Sequence, residues 1–170
     1  MIITKKKRIA LFCLFFVLTV VWMAAIFGFS SKDASESTKQ SNVVTRFVLS
    51  ILNPDFADMT EQQQQEFISQ YDGIIRKLAH FAAYTILGIF SYGAAGWLGW
   101  IPTNIFLPIA ISVPVSVIFS CTDEFHQTFV SGRAGRISDV LIDSGGVIFG
   151  TVLFIVVIKI ALHNYRKKRM

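Results

Sequence analysis

Ile9-Ala10-Leu11-Phe12-Cys13-Leu14-Phe15-Phe16-Val17-Leu18-Thr19-Val20-Val21-Trp22-Met23-Ala24-Ala25-Ile26-Phe27-Gly28-Phe29 is the stretch that decides the fold class. Thr19 is its most polar member. A bilayer core needs about 20 apolar residues in helical form, and this run supplies them without interruption. A secretory signal core is shorter, about 7–15 residues. The run therefore reads as a retained anchor, although the basic stretch Lys5-Lys6-Lys7-Arg8 precedes it.

Three further stretches read the same way, giving spans at about 9–29, 78–100, 103–122 and 138–162. The expected architecture is an all-α integral membrane protein. It is one membrane domain over 1–170, a four-transmembrane-helix bundle with one or two short outer helices between spans one and two. Composition agrees: 53% of the residues are hydrophobic and 16% charged, against about 25% charged in an ordinary soluble domain.

The net charge of +5 could suggest nucleic-acid binding until the charges are placed. Lys5, Lys6, Lys7 and Arg8 precede span one; Lys159, Arg166, Lys167, Lys168 and Arg169 end or follow span four. Neither end segment holds an acid. An even number of spans puts both tails on one side, and the positive-inside rule makes that side cytoplasmic. The short turn Gly99-Trp100-Ile101-Pro102 falls there too, while 30–76 and the loop after span three face outward. Arg133 and Arg136 in that loop run against the rule and are outnumbered. The expected location is the plasma membrane, with lipids as partners and no nucleic acid. Oligomeric state is not encoded in any pattern here. Cys13 and Cys121 read as small buried hydrophobes, not as a disulfide framework.

The outer segment 30–76 has its own pattern. Val43, Val44, Phe47, Val48, Ile51 and Leu52 make an apolar stripe at helical spacing. Such a helix lies in the membrane interface or packs across the bundle. Ser41 is its expected cap, and Asn53-Pro54 its stop. Thr60-Glu61-Gln62-Gln63 fits a capping box that opens a second helix, with Gly73 as an expected kink before span two. The segment covers the top of the bundle or forms a lid over a ligand.

Polar residues inside the spans are the candidates for function, because ionisable groups there are costly and rarely incidental. On span two, Lys77, His80, Tyr84 and Ser91 share one helical face. On span three, Ser112, Ser116, Ser120, Asp123 and Gln127 share another if the helix continues past Thr122. Span four carries Asp139 and Asp143, with Gly146 and Gly150 on the same face to admit a close neighbour. The three clusters converge on the outer end. His80, Glu124, His126, Asp139 and Asp143 are candidate catalytic residues. Histidine titrates near ambient pH and serves as acid or base, with Glu124 or Asp139 to orient it. Arg76, Lys77, Tyr84, Asp123, Gln127, Arg133 and Arg136 are candidate substrate-binding residues. The four cations suit phosphate or pyrophosphate oxygens, and Gly132 and Gly135 free the loop to approach a ligand.

Blander readings compete. Asp139 and Asp143 could form structural bridges with Arg133, Arg136 or Lys77, and Arg76 could snorkel to headgroups. Glu124, His126, His80 and an aspartate offer metal donors, yet the spacing matches no closed metal motif. No metal ligand is assigned, and no cofactor is named.

The residues Phe29-Ser30-Ser31, Arg76-Lys77-Leu78-Ala79-His80-Phe81 with Tyr84, Asp123-Glu124-x-His126-Gln127-x-Phe129-Val130-x-Gly132-Arg133, and Asp139 and Asp143 followed by Gly146 and Gly150 together resemble the VanZ-like family over nearly the whole chain. Ser131 stands where the family's pattern has proline. The resemblance implies a cell-envelope role, since the founding member is linked to low-level resistance to the glycopeptide teicoplanin. It implies no defined reaction. The expected function is a multi-pass membrane protein whose outward polar site binds or modifies a phosphate-bearing envelope lipid or glycan precursor. The alternatives are a non-catalytic envelope binder that limits antibiotic access, or a small transporter. Against transport, the polar residues gather at one end, with Lys159 alone near the other.

Overall fold

The computed structural model describes residues 4–98 and 104–167. The expected turn at Gly99 to Pro102 and the last tail cations lie outside them. Among the described residues there are five α-helices and one 3₁₀ turn, and no strand. They are α1 (Lys5–Ser30), α2 (Ala34–Leu52), the 3₁₀ turn Pro54–Asp58, α3 (Glu61–Trp97), α4 (Phe106–Gln127) and α5 (Ile137–Lys167). Four of these, α1, α3, α4 and α5, are long and apolar enough to cross a membrane.

α3 is the hub, packing on α1, α2, α4 and α5. Its contacts give the direction of each neighbour. Trp22 donates its indole N–H to the Ala83 carbonyl at 2.8 Å, while Gly93, further along α3, meets Phe15, further back on α1. Those two helices are antiparallel. Ser91 meets Ser116, and Tyr84 meets Asp123, so α4 is also antiparallel to α3. His80 faces Asp143, Phe81 faces Gly146, and Thr85 faces Gly150, so α5 runs parallel to α3. The bundle alternates direction from one span to the next. At its centre Ile26, Tyr84, Leu87 and Val147 are buried, with Trp22 and Phe119 against them.

The α3–α5 seam is as close as the glycines suggest. A Cβ on Gly146 would strike the Phe81 carbonyl, one on Gly150 the Thr85 carbonyl, and one on Gly88 the Val147 carbonyl. Small residues let backbones approach this closely where lipid offers no hydrophobic drive to pack.

The outer segment differs from expectation in three ways. First, α3 is a single helix of 37 residues running through Gly73. At 1.5 Å per residue it is about 55 Å long, well beyond a core of about 30 Å. One exposed glycine costs only about 1 kcal/mol, and the surrounding packing outweighs it. Thr60 and Gln63 do form the capping box. Secondly, α2 starts earlier, with Asp33 as its cap, accepting from the Glu36 N–H at 2.9 Å. Ser41 is mid-helix and donates instead to Asp72 on α3, which Thr45 also reaches. Thirdly, α2 docks through the buried Thr45 and Leu49, and Leu49 joins Phe56 and Ile68 in a second small core. The stripe residues Val43, Val44, Phe47, Ile51 and Leu52 remain exposed. That arrangement suits a helix at a membrane interface and not one packed across the bundle. Both cysteines correct the sequence reading too: they are free and exposed on the outer faces of α1 and α4, where a bilayer would supply the apolar surroundings.

Candidate functional site

The polar faces of the spans meet at one end of the bundle. α4 does continue past Thr122, to Gln127, and buries Ser112, Ser116, Ser120, Asp123, Glu124 and Gln127. Asp123 is completely buried and is held from three sides. Ser30, at the end of α1, donates to its Oδ1. The Tyr84 hydroxyl and the Gln127 amide donate to its Oδ2 at 3.5 and 3.4 Å. Glu124 accepts from the Gln127 amide at 3.2 Å and from the Arg136 backbone N–H at 2.9 Å. The second bond ties α4 to the start of α5. Gly135 allows it, because a Cβ there would strike the Glu124 carbonyl. Gly132 is the one positive-φ residue among those described, at φ 72°.

Asp143, also completely buried, accepts from Ser120 at 2.9 Å and stands 3.5 Å from His80 Nδ1. Its Oδ1 has no hydrogen bond. Neither Asp139 nor Asp143 pairs with Arg133, Arg136 or Lys77; Asp139 accepts from Ser138 at 3.1 Å. The simple structural bridges are absent among the described residues.

Beside this network lies a cavity of about 240 Å³. Arg76, Lys77, Arg133 and Arg136 line it, together with His80, Gln127 and Asp139. Arg76 is held loosely by Asp72 at 3.9 Å. Arg133 donates to Gln127 Oε1 at 3.4 Å, while its Nε is buried without a partner. Burial, with Arg76 adding like charge, lowers the pKa of Arg133 from its ordinary value. An anion in the cavity would satisfy the orphan N–H and relieve that repulsion.

A second, mainly apolar groove of about 460 Å³ runs between α1, α2 and α3. Trp22, Ile26, Phe29, Val44, Ile75 and Ala83 form its walls. It shares Arg76, His80 and Arg133 with the polar cavity, so the two adjoin.

The structure thus brings together every candidate named from the sequence except His126. That side chain packs its ring on Phe27, with centroids 4.4 Å apart, and lies 3.4 Å from Ser31 Oγ. Ser30 and Ser120 enter the network without having been singled out as site residues. Helical spacing places Ser120 on the right face; Ser30 stands in the Phe29-Ser30-Ser31 stretch just beyond the first span, one of the stretches that carry the family resemblance.

The VanZ/LLP1 family model matches residues 15–159, which include all of these groups. The chain belongs to the VanZ/LLP1 family. With four apolar helices long enough to cross a bilayer, this VanZ/LLP1 protein is a multi-pass membrane protein. No curated protein and no solved structure matches it.

Proposed function

We propose that this VanZ/LLP1 protein binds a phosphate-bearing lipid or lipid-linked glycan precursor of the bacterial envelope. The site opens on the outer face of the plasma membrane, and both termini are cytoplasmic. One observation carries the reading: a cavity lined by four cations adjoins an apolar groove, and Arg76, His80 and Arg133 border both. A phosphate headgroup fits the first space and a hydrocarbon chain the second. Arg133, with its unpartnered Nε, and Arg136 hold the anionic oxygens; Arg76 and Lys77 complete the charge. Glu124, through its bond to the Arg136 backbone, positions the loop that carries both arginines.

In the stronger form of the proposal the bound lipid is modified. His80 is the acid or base, and Asp143 at 3.5 Å orients it in place of the Glu124 or Asp139 expected from sequence. Asp139 lines the cavity within the ligand's reach. In the weaker form the protein holds or screens envelope lipids and so limits antibiotic access.

The purified protein in detergent is titrated with a polyprenyl phosphate and with the matching unphosphorylated polyprenol. The phosphate should bind at least tenfold more tightly. Arg133→Ala should weaken its binding roughly 10- to 100-fold, the worth of a charged hydrogen bond of about 1.5–3 kcal/mol. Equal binding of the alcohol and the phosphate would refute the proposal. Release of a product by wild type and not by a binding-competent His80→Ala would separate the two forms.

A further inference from the structure

His80, Glu124 and Asp143 come from three different helices, and one donor atom of each lies within 4.8 Å of the other two. We propose that these three residues bind a divalent first-row transition ion, such as Zn²⁺ or Mn²⁺, beside the cationic cavity. The inference goes beyond lipid binding and concerns the protein with no lipid bound.

Four observations converge on it. Tetrahedral ligands around an ion at about 2.1 Å stand about 3.4 Å from one another; His80 Nδ1 and Asp143 Oδ1 are already 3.5 Å apart, and the Glu124 carboxylate, within 4.8 Å of both, needs a shift of about an ångström at most. Asp143 is fully buried, and its Oδ1 has no hydrogen bond, although buried carboxylate oxygens almost always find a donor. That orphan oxygen is the one 3.5 Å from His80 Nδ1. Charge is the third point. Asp123, Glu124 and Asp143 are all buried, and among the described residues His80 alone makes an ion pair with any of them. The guanidinium groups of the cavity form no ion pair with them among the described residues. Buried carboxylates demand compensating charge, and a divalent ion supplies it.

The fourth point is the support behind the ligands. Ser120 holds the other oxygen of Asp143, while Gln127 and the Arg136 backbone hold Glu124. Such outer hydrogen bonds orient metal ligands. One imidazole and two carboxylates, without a thiolate, suit Zn²⁺ or Mn²⁺ better than soft ions. Because three ligands leave coordination positions free, an ion next to His80 borders the cavity that His80 lines.

The test uses the full chain in detergent, stripped with chelator and then dialysed against Zn²⁺ or Mn²⁺. Elemental analysis should find about one ion per chain, and the ion should raise the thermal unfolding midpoint of the wild type, as any ligand of the folded state does. Asp143→Asn, Glu124→Gln and His80→Ala should each weaken metal binding 10- to 100-fold or more, while His126→Ala keeps it. A folded wild type that retains no ion and shows no shift of the midpoint overturns the proposal. So does metal uptake that survives all three ligand substitutions, since the ion then sits elsewhere. Because no lipid is present, failure here leaves the lipid proposal untouched, and failure of lipid binding leaves this one standing.

Discussion

Glu124 does two jobs that no residue list could assign it. Its side chain caps the approach to α5 through the Arg136 N–H, and it also faces His80 and Asp143. Polar residues inside the spans were legible as costly and therefore meaningful, so His80, Asp123, Glu124 and Asp143 stood out by type alone. Their partners did not. His126 sits two residues from Glu124 and looks equivalent on paper, yet a helix turns those two positions about 200° apart, and Phe27 receives the imidazole instead. Gly132 shows a backbone constraint at the same scale. It sits at φ 72°, and a Cβ there would meet Ala34 Cβ at 2.9 Å. Gly132→Ala should cost about 1–2 kcal/mol for the left-handed backbone alone, read as a lower unfolding midpoint in detergent. An unchanged midpoint would mean that the loop does not need this conformation.

At the scale of elements, the α3–α5 seam is where sequence pattern and packing agree best. Gly146 and Gly150 share a face with Asp139 and Asp143, so close packing and acid placement follow from one periodicity. Gly150 and its neighbour Gly145 make a controlled pair. A Cβ on Gly150 strikes the Thr85 carbonyl, whereas one on Gly145 meets only Phe81 Cε2 at an ordinary 3.7 Å. Gly150→Ala should destabilise by about 1–3 kcal/mol through overpacking, and Gly145→Ala should not; thermal unfolding of both variants in one detergent decides. α2 shows the converse. Its stripe of valines, Phe47 and Ile51 predicted a helix correctly but not its docking face, which is Thr45 and Leu49. An apolar stripe can bury itself in protein or in lipid, and periodicity alone does not distinguish them.

For the whole molecule, the alternation of α1, α3, α4 and α5 puts the buried acids Asp123, Glu124 and Asp143 at one end, and Lys5, Lys6, Lys7 and Arg8, which open α1, at the other. Orientation in the membrane is open to direct measurement. Ser131 is exposed in the loop between α4 and α5. Ser131→Cys, in a background with Cys13 and Cys121 replaced by serine, should react with a membrane-impermeant maleimide on intact cells; labelling only after permeabilisation would reverse the topology. By itself the sequence determined that the chain is a bundle of four membrane-length helices, because a run such as 9–29 has no other low-energy state than a lipid-facing helix. It also determined which rare polar residues must face inward, since helical periodicity fixes a face without knowledge of the partner. Only the tertiary structure decided which of them meet. Meeting depends on helix order, direction and the sub-ångström approach that the glycines permit. Those relations turn His80, Glu124 and Asp143, which lie far apart along the chain, into one cluster, and they leave Arg133 with an N–H facing no partner at the wall of a cavity.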